Sequence, residues 1–279
     1  RCSPLFEYSE VALNFVATIG MMTDFFAATV ALVQNDIKKI IAYSTCSQLG
    51  YMFFAAGIGA YHVAIFHLFT HAFFKALLFL GSGCVIHSFN DEQDIRNMGG
   101  VWKKIPYTYV LMIIGTLALT GFPFFSGFYS KDAIIEFAYL KNNTVGNFVV
   151  VVGVFTAFLT TIYSWRLIFK TFHGKYNNKK NTISSIQDSP IIMLIPSSLL
   201  AIGAIITGFL FKDIFIGQDT EFWGNSILFL QLINYEHPPS WLLILTPAIV
   251  IIGIPIAYYL FLENDKILRN FILKNHILY

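Results

Sequence analysis

The residues in this sequence that are best suited to chemistry are ionisable side chains set inside a long apolar stretch. Residues 60–89 are almost wholly apolar, yet they contain Lys75 near the midpoint, with His71 and His67 four and eight positions upstream. Positions four apart lie nearly above one another on a helix, so the three side chains share one stripe. A lysine at the centre of a bilayer is expensive and usually faces protein or water.

A second lysine predicted to be buried is Lys131, which is followed directly by Asp132. Burial disfavours the charged form of an amine, so a lysine in an apolar interior can take up and release a proton. Moving one charge against about 150 mV costs about 3.5 kcal/mol. This free energy is comparable with that of the pKa shift that burial produces in one lysine. A change in the protonation of one buried lysine is therefore matched in free energy to one proton step across the membrane.

Further titratable groups could extend a relay between the two lysines. Imidazole titrates near neutral pH, which suits His67 and His71. Lys38 could face an internal water path, although Lys38 and Lys39 also suit a membrane boundary. The predicted proton relay consists of Lys75, Lys131, His67, His71, Asp132 and Lys38.

Each of these residues also has a purely structural interpretation. A buried lysine can be neutralised by a carboxylate or extend to the interface, and histidines can bond between helices. Asp132 could be a carboxylate on the helix surface. The spacing of His67 and His71 fits zinc, but no third ligand is evident, so no metal is predicted. Haem ligation would need a facing histidine, and His62 and His87 lie on the same helix.

Two further polar features lie within predicted spans. Asp24 is an unusual residue for the middle of an apolar helix, and the sequence leaves its role open. The next span carries a run of hydroxyls and an amide, which suits an internal water wire or interhelical hydrogen bonds. This run is Tyr43, Ser44, Thr45, Ser47 and Gln48.

The composition indicates an integral membrane protein. The chain has 279 residues, of which 56% are hydrophobic and 12% are charged, whereas soluble domains carry about 25% charged residues. A net charge of +2 is too small to suggest a nucleic-acid partner. The three cysteines have no paired spacing, so neither a disulfide framework nor a zinc site is predicted.

Apolar stretches of about 20 residues predict an all-α polytopic fold of about seven transmembrane helices. The predicted spans are 10–33, 37–58, 61–89, 106–140, 146–172, 190–211 and 240–262. They form one transmembrane domain over 1–279, in which residues 9–172 form a five-helix unit. Residues 190–262 add two membrane helices, and 211–240 is predicted to be interfacial.

The fourth span is predicted to be broken. As one straight helix, residues 106–140 would be about 50 Å long, against a hydrocarbon core of about 30 Å. The span contains GFPFFSG at 121–127, in which Pro123 removes a backbone donor and clashes with the preceding turn. A broken helix at membrane depth is tolerated where it lines a cavity or is packed in protein.

Basic residues are concentrated in the loops on one side of the membrane. These loops are 34–39, 89–105, 170–189 and 263–279. The positive-inside rule therefore predicts that they face the cytoplasm or the matrix.

Four segments resemble one membrane-protein family. They are ALVQNDIKKIIAYSTCSQLGYMFFA at 31–55, HLFTHAFFKALLFLGSGCVIHS at 67–88, NDEQDIRNMGG at 90–100 and GFPFFSGFYSKDAII at 121–135. They resemble the large antiporter-like membrane subunits of respiratory complex I, NADH–quinone oxidoreductase, of the type called subunit 5 or, in bacteria, subunit L. The resemblance is strong over about residues 9–172 and weak to about residue 262.

The resemblance implies two inverted five-helix units followed by further helices, with the first five spans here matching the second unit. It implies that the proton-relay lysines match Lys75 and Lys131, the histidines match His67 and His71, and the adjacent carboxylate matches Asp132. Asp24 departs from the apolar or small residue usual in the family. Because the chain opens at Arg1 without methionine or a signal peptide, we expect a fragment of a longer polypeptide. The resemblance to the second unit implies that this fragment belongs to the C-terminal half.

The expected function is that of a proton-translocating membrane subunit of NADH:quinone oxidoreductase. No dinucleotide fingerprint, flavin site or iron–sulfur cysteine set is present, so the chain itself is expected to bind no cofactor. NADH, FMN, Fe–S clusters and quinone would belong to partner subunits, and the expected partners are neighbouring complex I membrane subunits and membrane lipids. The expected location is the bacterial plasma membrane or the mitochondrial inner membrane. The alternatives are a subunit of a multisubunit Na⁺/H⁺ antiporter and a structural scaffold of the membrane arm.

Overall fold

The regular structure of this chain is helical. The computed structural model describes residues 2–177, 185–217, 221–228 and 238–263. The helices are α1 Ser3–Glu7, α2 Glu10–Val33, α3 Ile37–Gly57, α4 Tyr61–Ser88, α5 Pro106–Thr120, α6 Ser126–Leu140, α7 Thr144–Phe172, α8 Ile191–Ile216 and α9 Ser240–Tyr258. A short 3₁₀ turn at Ile95–Asn97 and a π turn at Tyr259–Glu263 complete the described elements. The predicted all-α class is confirmed.

Five helices are long and apolar enough to cross a membrane, namely α2, α4, α7, α8 and α9 with its π turn. The 21 residues of α3 span about 31 Å at about 1.5 Å per residue, although the polar run makes this helix less apolar. α5 and α6 are half-length helices in tandem. The described helices thus match the predicted polytopic arrangement with one broken span.

Local capping chemistry sets where several helices begin. The Ser9 side chain accepts from the amide of Ala12 at the start of α2. The Asp36 carboxylate accepts from the first amides of α3, and Asn143 accepts from Gly146 at the start of α7. Each cap satisfies an amide that has no partner within its helix.

The predicted break in the fourth span lies at residues 121–125. α5 ends at Thr120, and Gly121 follows it with a φ of +80°, a left-handed conformation that glycine adopts without strain. Pro123 follows, and Phe124 also has a positive φ of 72°. The two half-helices then pack backbone to backbone. The contact requires a glycine, since a Cβ on Gly127 would overlap the carbonyl oxygen of Ala118.

α4 lies at the centre of the helix bundle. It contacts α3, α5, α6 and α8, which is why polar residues from several of its faces are buried. Beside it, α2 and α3 approach so closely that only small residues fit between them. A Cβ on Gly50 would lie 2.8 Å from the carbonyl oxygen of Gly20, and one on Gly57 would overlap the backbone of Ala17.

Three of the predicted basic loops meet at one end of the bundle. The amide of Ile37 donates to the carbonyl of Gln93 at 3.0 Å, and that of Ile95 donates to Asn35 at 2.9 Å. The amide of Val101 donates to Phe172 at 3.0 Å. The loops around 34–36, 89–105 and 173–177 therefore share one face, as the alternation of the predicted spans requires.

One helix extends beyond its predicted end. α8 continues through residues 211–216 as far as Ile216, so the first part of the segment predicted to be interfacial is helical. The reason is aromatic packing, since the Phe211 and Phe215 rings both contact Phe69 of α4. Residues 221–228 form turns in which the Trp223 indole N–H donates to the Phe215 carbonyl at 2.7 Å. The rest of the predicted segment includes 218–220 and 229–237, which lie outside the described residues.

Candidate functional site

Lys75 is buried at the centre of the bundle, with 4% of its surface exposed. Its Nζ donates to the Ser44 hydroxyl of α3 at 2.6 Å and to the Ile41 carbonyl at 3.4 Å. Within the described residues no carboxylate forms an ion pair with it. Neutral oxygen atoms thus hold this amine, and no permanent counter-ion among them fixes its charge.

A run of hydroxyl groups leads from Lys75 towards α7. The Ser44 hydroxyl lies 2.7 Å from the Tyr163 hydroxyl, and Tyr163 donates to Thr160 at 3.4 Å. Thr160 donates in turn to the carbonyl of Thr156 at 2.7 Å. These contacts form a continuous run of hydrogen-bonding groups between Lys75 and α7.

A small cavity of about 10 Å³ lies beside this run. Its polar lining consists of Ser44, Thr116, Tyr163 and Ser164. The buried Ser164 hydroxyl has no hydrogen-bond partner among the described residues. This volume is near the minimum for one water molecule.

Lys131 is fully buried on α6, at the broken span. Its Nζ donates to the carbonyl of Leu119 at 3.3 Å and lies 5.5 Å from the centre of the Tyr51 ring. Leu119 is in the last turn of α5, where carbonyls lack helical partners and the helix dipole favours a cation. The break thus creates an acceptor for the lysine.

His67 joins α4 to the two flanking helices. Its Nδ1 lies 2.8 Å from the Ser130 hydroxyl and its Nε2 lies 3.2 Å from Oε1 of Gln48. Ser130 is the residue before Lys131, so one of these contacts leads to the second lysine. The His71 ring is 6.1 Å from that of His67, and its Nε2 has no hydrogen-bond partner in the described chain.

Asp132 lies beyond Lys131 on α6, with 8% of its surface exposed. Its Oδ1 has no hydrogen-bond partner in the part of the chain that the structure describes. Glu136, one turn further along, and Lys212 of α8 interact with it electrostatically. These groups lead towards the end of α6, away from the basic loops.

The structure does not bring Lys38 to this cluster. Its side chain is exposed at the start of α3, where its backbone amide donates to the Asp36 carboxylate at 2.8 Å. This position agrees with the membrane-boundary interpretation. The other five predicted relay residues all lie in the interior of the bundle.

Sequence reasoning missed several members of the cluster. The sequence assigns no role to Asp24, and it does not distinguish Ser130 from other serines, although Ser130 directly precedes Lys131. On α7, Thr156, Thr160 and Tyr163 were also missed, although their spacing puts three hydroxyls on one face of an apolar helix. That spacing is the sequence feature from which these three residues could have been predicted.

The cluster is suited to moving protons. It places amines, imidazoles, carboxyls and hydroxyls in an apolar bundle, mostly a few ångströms apart. No group of three His, Cys, Asp or Glu side chains in the described ranges is arranged to hold a metal ion. Proton exchange is thus the chemistry that these side chains support best.

Comparison with known proteins gives consistent matches. The family described as NADH:quinone oxidoreductase/Mrp antiporter, transmembrane, matches residues 1–160. The NADH-ubiquinone oxidoreductase chain 5 of Phytophthora infestans is 49% identical and is aligned over 100% of this chain and 43% of its own length. The NADH-quinone oxidoreductase subunit L of Rhodobacter capsulatus is 54% identical over 81% of this chain and 33% of its own length.

A solved structure shares the helix arrangement. The chain superposes on part of the Mrp complex from a Dietzia species with a TM-score of 0.67 and 25% sequence identity. The match covers 92% of this chain and 29% of that one. The chain therefore spans less than half the length of these relatives.

Proposed function

We propose that this chain, which belongs to the NADH:quinone oxidoreductase/Mrp antiporter transmembrane family, forms part of a proton-translocating subunit of respiratory complex I. The observation that carries the proposal is Lys75, a buried amine held by the hydroxyl of Ser44 and the carbonyl of Ile41. An amine without a permanent counter-ion is able to change its protonation state within the bundle.

The proposed path crosses the bundle between the two lysines. A proton reaches Lys75 through the hydroxyls around Ser44 and passes by His71 and His67 to Lys131. It leaves by Asp132 towards Glu136. The contact of His67 with Ser130, next to Lys131, supports the middle of this path.

Water completes the proposed path where side chains do not touch. Several buried polar atoms along it have no hydrogen-bond partner in the described part of the chain, and such atoms are commonly satisfied by water. They are Gln48 Nε2, Tyr51 Oη, His71 Nε2, Ser126 Oγ, Asp132 Oδ1 and Ser164 Oγ.

In this proposal the chain carries no redox chemistry. NADH, FMN, Fe–S clusters and quinone are bound by partner subunits, and neighbouring membrane subunits deliver the driving force. The membrane is the bacterial plasma membrane or the mitochondrial inner membrane, with the basic loops on the cytoplasmic or matrix side. The identities of 49% and 54% to complex I proteins, against 25% to the Mrp chain, favour complex I over a cation antiporter.

The test is the intact complex carrying Lys75→Met or Lys131→Ala. Both variants should slow proton translocation through this unit by about 10²-fold or more, the usual contribution of a positioned proton-transfer group. Proton uptake per electron is measured in proteoliposomes, with the amount of assembled complex checked on native gels. Unchanged pumping in both variants would reject the relay and leave a scaffold role.

Lys38→Ala and Lys39→Ala provide a matched pair for this test. Both lysines are exposed at the start of α3, so neither substitution removes a buried charge. Lys39→Ala is expected to leave pumping unchanged and serves as the control. A loss that is confined to Lys38→Ala would return Lys38 to the path.

A further inference from the structure

Asp24 is a fully buried carboxylate in the middle of α2. Its Oδ1 accepts from the Ser47 hydroxyl of α3 at 2.6 Å, and its Oδ2 accepts from the Thr156 hydroxyl of α7 at 2.6 Å. In the part of the chain that the structure describes, it forms no ion pair. Both oxygens are thus bound by neutral donors from two different helices.

The packing of α2 on α3 holds Asp24 in place. A Cβ on Gly50 would lie 2.5 Å from the Asp24 amide nitrogen and 2.9 Å from its Cα. The backbone of Asp24 therefore lies directly against that of Gly50. The close contact of these two backbones keeps the carboxyl group inside the bundle, where none of its surface is exposed.

Three titratable groups face Asp24 from the surrounding helices. Tyr51 of α3, Lys131 of α6 and Tyr163 of α7 interact with it electrostatically. The Lys131 Nζ lies 5.5 Å from the centre of the Tyr51 ring, so this tyrosine also lies beside the amine. Lys131 is the only lysine among these three neighbours.

The cost of burying charge restricts the protonation states that Asp24 and Lys131 can adopt together. A lone carboxylate or a lone ammonium in the interior is expensive, whereas two opposite charges or two neutral groups leave no net charge. Asp24 and Lys131 are therefore expected to change their charges together.

We propose that Asp24 is a further proton-exchanging residue that works with Lys131, an inference that rests on the proposed function. In one state Asp24 is a carboxylate and Lys131 is an ammonium. In the other, the proton has moved from Nζ to the carboxylate, leaving a neutral amine and a carboxylic acid. No net charge appears in either state, and the carboxylic acid returns the same proton to Nζ when the ion pair forms again.

Infrared difference spectroscopy of the intact complex during turnover tests this directly. A protonated carboxyl gives a C=O stretching band, which should be present in the unmodified complex and absent in Asp24→Asn. Asparagine has the same shape and keeps hydrogen-bonding groups, but it cannot take a proton. Ser47→Ala removes one donor to the carboxyl group and should move the same band to higher frequency.

Thr23→Val is the matched control, because Thr23 is the preceding residue of α2 and is exposed. It should leave both the band and the pumping unchanged, whereas Asp24→Asn should lower pumping at least about tenfold, equivalent to about 1.4 kcal/mol. Asp24→Glu, which restores an acid, should recover part of the pumping.

The outcomes separate this inference from the proposed function. Normal pumping and an unchanged carboxyl band in Asp24→Asn would show that Asp24 is only a hydrogen-bonding node. If Lys75→Met and Lys131→Ala stop pumping in the same preparation, the proposed function stands without Asp24. A carboxyl band that depends on Asp24 while the lysine variants pump normally would contradict both, since the band would then report a proton outside any transport path.

Discussion

At the scale of single residues, the central feature is that neutral oxygens hold both buried amines. Lys75 binds a hydroxyl and a carbonyl, and Lys131 binds a carbonyl. These partners stabilise an ammonium but accept its loss, unlike a carboxylate in an ion pair. The arrangement therefore keeps both protonation states within reach.

Ser44→Ala is predicted to impair the first transfer. It removes the nearer acceptor of Lys75, and a hydrogen bond to a charged group contributes about 1.5–3 kcal/mol. Pumping should fall by about tenfold or more while quinone-independent NADH oxidation by the complex is unchanged. Tyr163→Phe removes the next hydroxyl, and a double-mutant cycle with Ser44→Ala should show non-additive losses. Strictly additive losses would mean that the two hydroxyls act separately.

His173 provides a pH-dependent prediction outside the membrane spans. Burial lowers the pKa of His173 from its ordinary value of 6.5, and its ring stacks on Trp102 and lies 3.0 Å from the Tyr109 hydroxyl. Because the unfolded state then binds the proton more readily, this contribution to stability is present above pH 6.5 and is lost as the pH falls below it.

Hydrogen exchange of residues 99–102 measures this effect. Between about pH 7.5 and about pH 5.5, protection of these amides should fall more in the unmodified complex than in His173→Gln, which does not titrate. The comparison of two proteins at each pH removes the intrinsic pH dependence of exchange. Equal losses of protection would exclude His173 as the cause.

The sequence predicted the residues of the cluster better than their partners. Spacing within one helix identifies Lys75, His71 and His67, because it depends only on helix geometry. The partners of Asp24 lie 23 and 132 positions away, and helix packing alone brings them together. Lys38 was predicted to belong to the relay but is exposed. The sequence does not indicate whether a basic residue at the start of a helix faces the interior or the solvent.

At the scale of helices, the close approach of α5 and α6 depends on glycine. A Cβ on Gly127 would overlap the Ala118 carbonyl, so Gly127→Ala is predicted to destabilise the broken span by about 1–3 kcal/mol. The measurement is the thermal stability and amount of assembled complex.

Gly83→Ala is the control for this substitution. Gly83 lies within α4, and an added Cβ there would meet nothing within 4 Å. Alanine should leave stability unchanged or raise it by about 0.5–1 kcal/mol. Equal destabilisation by both substitutions would argue against the backbone contact as the cause.

The helices themselves were largely predictable from composition. Apolar length and Pro123 locate the spans and the break, because both follow from the thickness of the bilayer and the missing proline donor. The end of α8 was not predictable in this way. It depends on aromatic contacts of Phe211 and Phe215 with a distant helix.

At the scale of the whole molecule, the described parts of three basic loops, 34–36, 89–105 and 173–177, form one face of the bundle, and the proposal gives that face a side of the membrane. The fourth loop, after residue 263, lies outside the described residues. Lys103 lies in the connection before α5 and Thr144 is the first residue of α7, and both positions are exposed. Lys103→Cys and Thr144→Cys are introduced into a background without native cysteines. A membrane-impermeant maleimide should label position 103 only from the cytoplasmic or matrix side and position 144 only from the other. Labelling of both from one side would contradict the topology.

The bond from Lys131 to Leu119 ties the second half of the broken span to the end of the first. An ammonium has three hydrogens to donate and interacts strongly with the carbonyls at the C-terminal end of α5, whereas a neutral amine has two hydrogens and interacts weakly with them. Deprotonation of Lys131 therefore weakens the contact between the two half-helices, and reprotonation strengthens it. In the proposed relay, each proton transfer at Lys131 thus changes the strength of the contact between the two half-helices.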